Sequence, residues 1–218
     1  MHFAIEISKQ NMALAEFIID TKRFSIETLK QLTQTPHTLK LDNAVVDIVS
    51  KNRAFLERKL AEPNARYYGI NTGFGALCDV KISNENIEQL QENLVMSHAC
   101  GMGDEVKPEV AKLMLLLKIK GLSLGSSGVC VETIQKLVDF YNADVIPLIW
   151  EVGSLGASGD LAPLAHMSLP LLGMGEVRYK GERMKTADAL KQANIQSIKL
   201  HSKEGLALLN GTQFMSAW

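Results

Sequence analysis

At 218 residues the chain is long enough for one large domain or two small ones, with room for a sizeable core. Its 23 basic residues nearly cancel its 24 acidic ones, so neither a nucleic-acid footprint nor a polybasic membrane patch is visible. Aromatics make up only 6% against 46% hydrophobic residues, a balance that predicts an aliphatic core and suits a helical protein.

The opening MHFAIEISKQ mixes acid and base and lacks the apolar stretch of a secretory leader. Leu41, Val45, Ile48, Val49, Leu56 and Leu60 keep helical spacing through LDNAVVDIVSKNRAFLERKL. Residues 61–83 break that pattern with Pro63, Asn64, Gly69, Asn71, Gly73 and Gly75, and predict a long loop of the kind that carries function. A second helix is predicted from near Asn84, with Ile87, Leu90, Leu94 and His98 on one face and Gly101 and Gly103 ending it. Pro108 is placed to open a third, apolar at Val110, Leu113, Met114 and Leu117 and stopping near Gly125. A fourth spans about Glu132 to Tyr141. The apolar run after Asp160 reads as a fifth, which Pro170 kinks or ends. GEVRYKGERM at 175–184 reads as a short hairpin turning at Lys180-Gly181. The last stretch, EGLALLNGTQFMSAW, has the pattern of a helix hardly begun. The longest apolar runs, such as LMLLL at 113–117, are far too short to cross a bilayer.

Most chemistry-bearing patterns are weak or missing. GFGALC at 73–78 starts like a dinucleotide-binding loop but lacks the third glycine and a preceding strand. GASGD at 156–160 resembles a nucleophile elbow but has Asp160 where a glycine belongs. The five histidines are dispersed, so no metal site is expected, and His166 reads as a satisfied core histidine. Cys78, Cys100 and Cys130 are scattered without CxxC spacing and read as reduced core or near-core thiols of a cytoplasmic protein.

Ala157-Ser158-Gly159 admits a less ordinary reading. A backbone amide attacks a carbonyl two residues upstream only if the chain is compressed; glycine at the attacking position and alanine at the receiving one permit that. The serine hydroxyl can then leave as water, giving a five-membered ring with an exocyclic methylidene. A helix beginning at Asp160 would aim its unpaired N–H groups at charge developing there. The plain alternative is a turn before a helix, with Asp160 as N-cap.

GSLGASGDLAPLAH strongly resembles the signature of the aromatic amino acid ammonia-lyases, closest to their histidine branch. Four further segments resemble that family in the same order: YYGINTGFG at 67–75, NLVMSHACGMG at 93–103, LSLGSSGV at 122–129 and EGLALLNGTQ at 204–213. The likeness runs from about residue 66 onward and is sparse before it.

The resemblance implies a mainly α chain, the N-terminal part of the fumarase/aspartase-like helical fold, with a small hairpin near 175–184. It implies a helical domain over 1–105 bearing the Tyr68 loop, and over 106–218 the start of a central helical domain. The implied cofactor is 4-methylideneimidazol-5-one (MIO), formed from Ala157, Ser158 and Gly159 with no external group and no metal. Removing an almost non-acidic β-proton while expelling an amine needs an electrophile as well as a base. Tyr68 is the implied base, its pKa lowered by a neighbouring charge or donors. Gly69, Gly73 and Gly75 would let its loop close, with Asn71 in the same motif. Ser97 and His98 stand at the family's selectivity position, where Ser-His resembles the histidine enzymes and some tyrosine enzymes. Asn210 would bind near cofactor and substrate, with Asp160 and Gln213 in support; the plain alternatives are a loop aromatic at Tyr68, a helix-face histidine at His98 and a C-cap at Asn210.

The implied reaction is conversion of L-histidine to trans-urocanate and ammonia, in histidine catabolism, by a cytoplasmic homotetramer without nucleic-acid or membrane partners. A tyrosine or phenylalanine lyase, or an aminomutase using the same ring, is the second expectation. Such enzymes draw further substrate contacts from a later half, so the 218 residues alone are expected to show little or no turnover. A non-enzymatic helical remnant is the third reading.

Overall fold

The computed structural model describes residues 14–63, 65–73, 80–156 and 159–218. The chain opens with β1 (Ala15–Ile19), α1 (Ile26–Gln34) and β2 (His37–Leu41). The two strands pair in parallel, Ala15 opposite His37 through Ile19 opposite Leu41, and α1 makes the crossover that parallel pairing requires. Ser25 caps α1 by accepting from the Thr28 amide at 3.1 Å. None of these three elements was legible in the hydrophobic spacing.

Leu41 belongs to β2, so the next helix, α2 (Asn43–Leu60), starts after it, capped by Asp42 accepting from Ala44 N at 2.7 Å. Only Val45 and Val49 of its expected stripe are buried. The long connection that follows lies where sequence predicts it. It folds back on itself, with Ile82 N donating to Asn71 O at 2.9 Å and Gly73 N to Val80 O at 3.1 Å. A single 3-10 turn leads into α3 (Ile87–His98).

Beyond it come β3 (Met102–Glu105), α4 (Pro108–Leu122), α5 (Val131–Asn142), β4 (Ile146–Pro147) and β5 (Trp150–Val152). β3 and β5 form an antiparallel ribbon that the sequence reading did not anticipate. α6 (Leu161–Ser168) gives way to a 3-10 turn at Leu169–Leu172, where Pro170 removes a helical donor. β6 (Glu176–Tyr179) and β7 (Glu182–Lys185) form the expected hairpin. Its turn residues Lys180 and Gly181 both have positive φ, 53° and 83°, the turn that suits the twist of paired strands. β4 joins it as a third strand. α7 (Thr186–Ala193) follows.

The C-terminal stretch departs from expectation. It is two short helices, α8 (Glu204–Leu209) and α9 (Gln213–Ala217), separated at Asn210–Thr212 because Gly211 has φ +151°. One apolar cluster runs from Ile19 to Ala217, and α4 lies at its centre with Met114, Leu115, Leu116 and Ile119 at most 1% exposed. Two lysines of α4, Lys118 and Lys120, are buried with them. No helix among the described residues is long and apolar enough to cross a membrane. The structure is thus a mainly helical scaffold with small sheets at its edges.

Candidate active site

The last turn of α3 presents Ser97 and His98. Ser97 Oγ donates to Leu94 O at 3.0 Å, and His98 Nδ1 lies 2.9 Å from the same carbonyl. A carbonyl can only accept, so Nδ1 carries a proton, and in the neutral imidazole form this leaves Nε2 as an acceptor. Past His98 the chain turns at Ala99–Gly101 and packs against α6 at His166. Gly101 N donates to His166 Nε2 at 2.9 Å. A Cβ on Gly153 would come 2.9 Å from the Gly101 Cα, so two backbones touch here and φ +136° at Gly153 adds a second demand for glycine. His166 is a satisfied histidine, as sequence suggested; burial holds its pKa below the ordinary value and keeps Nε2 free to accept.

A cavity of about 200 Å³ lies at this junction, lined by Ser97, His98, Cys100, Gly156, Gly159 and Ala162 among others. Gly156 and Gly159 face each other across an antiparallel bridge. Gly159 has φ +104°, and a Cβ there would stand 2.6 Å from the Gly211 carbonyl oxygen. Glycine alone fits. Asp160 N donates to that same Gly211 oxygen at 2.8 Å, and Asp160 Oδ2 accepts from Met215 N at 3.0 Å. Asp160 occupies the N-cap position of α6 but makes no capping bond with its side chain, contrary to the plain reading of the motif. Its carboxylate instead ties α6 to α9.

Asn210 ends α8 as its C-cap, with its backbone N and its Nδ2 both donating to Leu206 O, at 3.1 and 3.0 Å. Its Oδ1 accepts no bond within the described residues. The Asn210 carbonyl accepts from Lys118 Nζ at 2.9 Å. Gln213 Oε1, beside Gly211, is buried without a partner among the described residues.

Tyr68 is 59% exposed, so it is not a loop aromatic packed on the core. The turn around it is held by Asn71, whose Oδ1 accepts from Tyr67 N at 2.7 Å and whose Nδ2 donates to Ala65 O at 2.9 Å. Gly69 N donates to Thr72 Oγ1 at 3.3 Å. The loop reaches the rest of the site through Gln91 of α3, which is fully buried. Its Nε2 donates to Gly69 O at 3.5 Å and its Oε1 accepts from Leu206 N of α8 at 3.3 Å.

Ser97, His98 and Gly159 thus meet in one cavity, and Asp160, Asn210 and Gln213 converge on the Gly211 turn beneath it. Tyr68 does not line that cavity; Gln91 links its loop to the helix that carries Asn210. Ala157, Ser158, Gly75 and Cys78 lie outside the described residues. Cys100, expected in or near the core, is exposed, because the chain has left α3 for the turn at the cavity wall. Cys130 is half-buried, its thiol pushed up to about 11 by burial and the nearby Glu204 carboxylate. No group of three metal-ligating side chains occurs among the described residues.

Gln91 and Lys118 escaped sequence reasoning. Gln91 falls on the stripe Ile87–Gln91–Leu94–His98, a polar residue at a buried helical position, and Lys118 interrupts an otherwise apolar run; both were signals of groups held inside for a reason.

The fold and these converging loops define a class before they define a family. The structure superposes on histidine ammonia-lyase from Trypanosoma cruzi with a TM-score of 0.83 at 35% identity, covering 93% of this chain and 39% of that one. It superposes on tyrosine aminomutase from Streptomyces globisporus with a TM-score of 0.85 at 31% identity, covering 93% and 38%. The fold is that of the ammonia-lyases and aminomutases. The sequence profile described as "Aromatic amino acid lyase" matches residues 24–218, beginning well before the motifs do. A histidine ammonia-lyase of Caldanaerobacter subterraneus subsp. tengcongensis is 44% identical over 204 residues, 94% of this chain and 40% of the relative. One of Pseudomonas fluorescens is 47% identical over 196 residues, 90% and 38%. The chain belongs to the aromatic amino acid lyase family and spans about 40% of the length of these relatives.

Proposed function

We propose that the polypeptide containing these residues is a histidine ammonia-lyase, eliminating ammonia from L-histidine to give trans-urocanate. The observation that carries the reading is the meeting of Ser97, His98 and Gly159 in one cavity, within a chain 44–47% identical to the two enzymes of that name described above. The surroundings of Gly159 fit a ring built on Ala157, Ser158 and Gly159: left-handed backbone, no room for a Cβ, and a helix starting two residues later. Such an MIO group supplies an electrophile for the substrate amine. His98 Nε2, left as acceptor, receives the N–H of the substrate imidazole, with Ser97 holding the helix end beside it. Asn210 Oδ1 accepts a hydrogen bond from the substrate amino group. Tyr68 Oη takes the β-proton when its glycine-rich loop closes and excludes water. Asp160, engaged at both backbone and carboxylate, keeps Gly159 against Gly211, and Gln213 backs that turn.

A cytoplasmic homotetramer follows from the same reading. A tyrosine or phenylalanine lyase or an aminomutase is the second reading, supported by the superposition on tyrosine aminomutase with a TM-score of 0.85. The test is a substrate panel on the complete polypeptide, followed by urocanate or cinnamate absorbance. Histidine is expected to be the preferred substrate, and replacing Ser97–His98 by Phe-Leu should move preference toward phenylalanine. Turnover of tyrosine or phenylalanine with none of histidine contradicts the proposal.

A further inference from the structure

Lys118, in the middle of α4, is 2% exposed and heads the largest fully buried side chains. Among the described residues no carboxylate pairs with it and its one hydrogen bond goes to the Asn210 carbonyl at 2.9 Å. The neighbouring Lys120 shows how this helix treats a lysine kept for stability: its Nζ reaches the Asp20 carboxylate at 3.2 Å and lies 4.6 Å over the Phe24 ring. An unpaired ammonium in an aliphatic core is unfavourable, and burial pushes the Lys118 pKa down to about 7. A methionine would fill the same space at no such penalty, so packing does not account for the residue.

Its single partner does. Asn210 is the C-cap of α8, where carbonyls without helical partners gather negative partial charge that a cation favours. The next carbonyl, Gly211 O, accepts from Asp160 N at 2.8 Å and abuts Gly159; three residues on from Thr212, Met215 N returns a bond to the Asp160 carboxylate. Pulling on Asn210 O therefore moves the surface on which Gly159 and Asp160 rest. We propose that Lys118 is a positioning residue: through the Asn210 carbonyl it fixes the Asn210–Thr212 turn as the abutment for Gly159 and Asp160.

The proposal rests on reading Gly159 and Asn210 as site residues, but its test needs no turnover. Amide hydrogen exchange of Asp160 and Met215 is compared, at matched pH, in the wild-type chain, Lys118→Met and Lys118→Arg. In Lys118→Met both amides should exchange faster by on the order of tenfold, while Leu137 and Val138 of α5 keep their protection. Lys118→Arg, which retains a cationic donor, should lose less. Unchanged exchange at Asp160 overturns the proposal, and so does a loss shared equally by Leu137 and Val138, which marks general destabilisation. If Lys118→Met does not fold, the same comparison in Lys118→Gln decides between these outcomes. A complete polypeptide without lyase activity would count against the proposed function and leave the exchange result standing.

Discussion

The two ends of α8 hold buried charges of opposite sign, and they are treated differently. At the N-terminal end the fully buried Glu204 carboxylate accepts from Thr133 Oγ1 at 2.5 Å, His201 N at 2.7 Å and Cys130 N at 2.8 Å. At the C-terminal end Lys118 Nζ has, among the described residues, the Asn210 carbonyl alone. Both charges have the sign that the helix dipole favours at their end. They differ in what replaces lost water: three donors answer the carboxylate, one acceptor answers the ammonium. A buried charge with its lone pairs met is a fastener of the fold. One left short is tolerated where its position matters more than its energy.

Glu204→Ala is the strongest way to break this comparison. It strands three donors, two of them backbone, and should lower stability by about 3–5 kcal/mol in urea denaturation. A loss near that of an exposed carboxylate would put the two ends of α8 on the same footing. Gln91→Leu tests the middle of the helix. It unpairs Leu206 N and Gly69 O and should lower stability by about 1–3 kcal/mol, with faster amide exchange at Leu206.

The Lys118 end is sharpened by pH. Its folded pKa, about 7, lies below the ordinary value of 10.5, so above pH 7 the unfolded chain holds a proton that the folded chain has released. Stability of the wild type should therefore rise from about pH 7 upward relative to Lys118→Met, by on the order of 2 kcal/mol near pH 9. Parallel stability curves for the two proteins would show that Lys118 is not buried as described. The smallest effect belongs to His166. Burial holds its pKa below 6.5, so its contribution is full above that pH and lost as pH falls through the window beneath it. His166→Gln should flatten that acid slope, read from melting temperatures as pH falls below about 6.5.

How much of this was legible depends on how many turns carried the signal. The helices Asn43–Leu60, Ile87–His98, Pro108–Leu122 and Val131–Asn142 are long enough for apolar spacing to repeat, and Lys180-Gly181 announces its turn by residue type. β1 and β2 are five residues each, with too few alternations to stand out, and the partners Met102 and Val152 of the β3–β5 ribbon are both exposed. At the site, the quoted motifs marked Ser97, His98, Gly159 and Asn210, but not how they are held. Gln91 and Lys118 act through backbone carbonyls and amides far off in the chain, which no local pattern encodes. The plain alternative for Asp160 failed for a similar reason: an acidic residue before a helix looks like a cap until a donor from another segment, Met215 N, claims it.

The most direct test of the whole account is the mass of the peptide spanning Ser154 to Asp160 in the protein isolated from its own cells. The account predicts a deficit of two water molecules confined to Ala157-Ser158-Gly159. An intact, uncyclised Ala-Ser-Gly in protein that converts histidine to urocanate would contradict it.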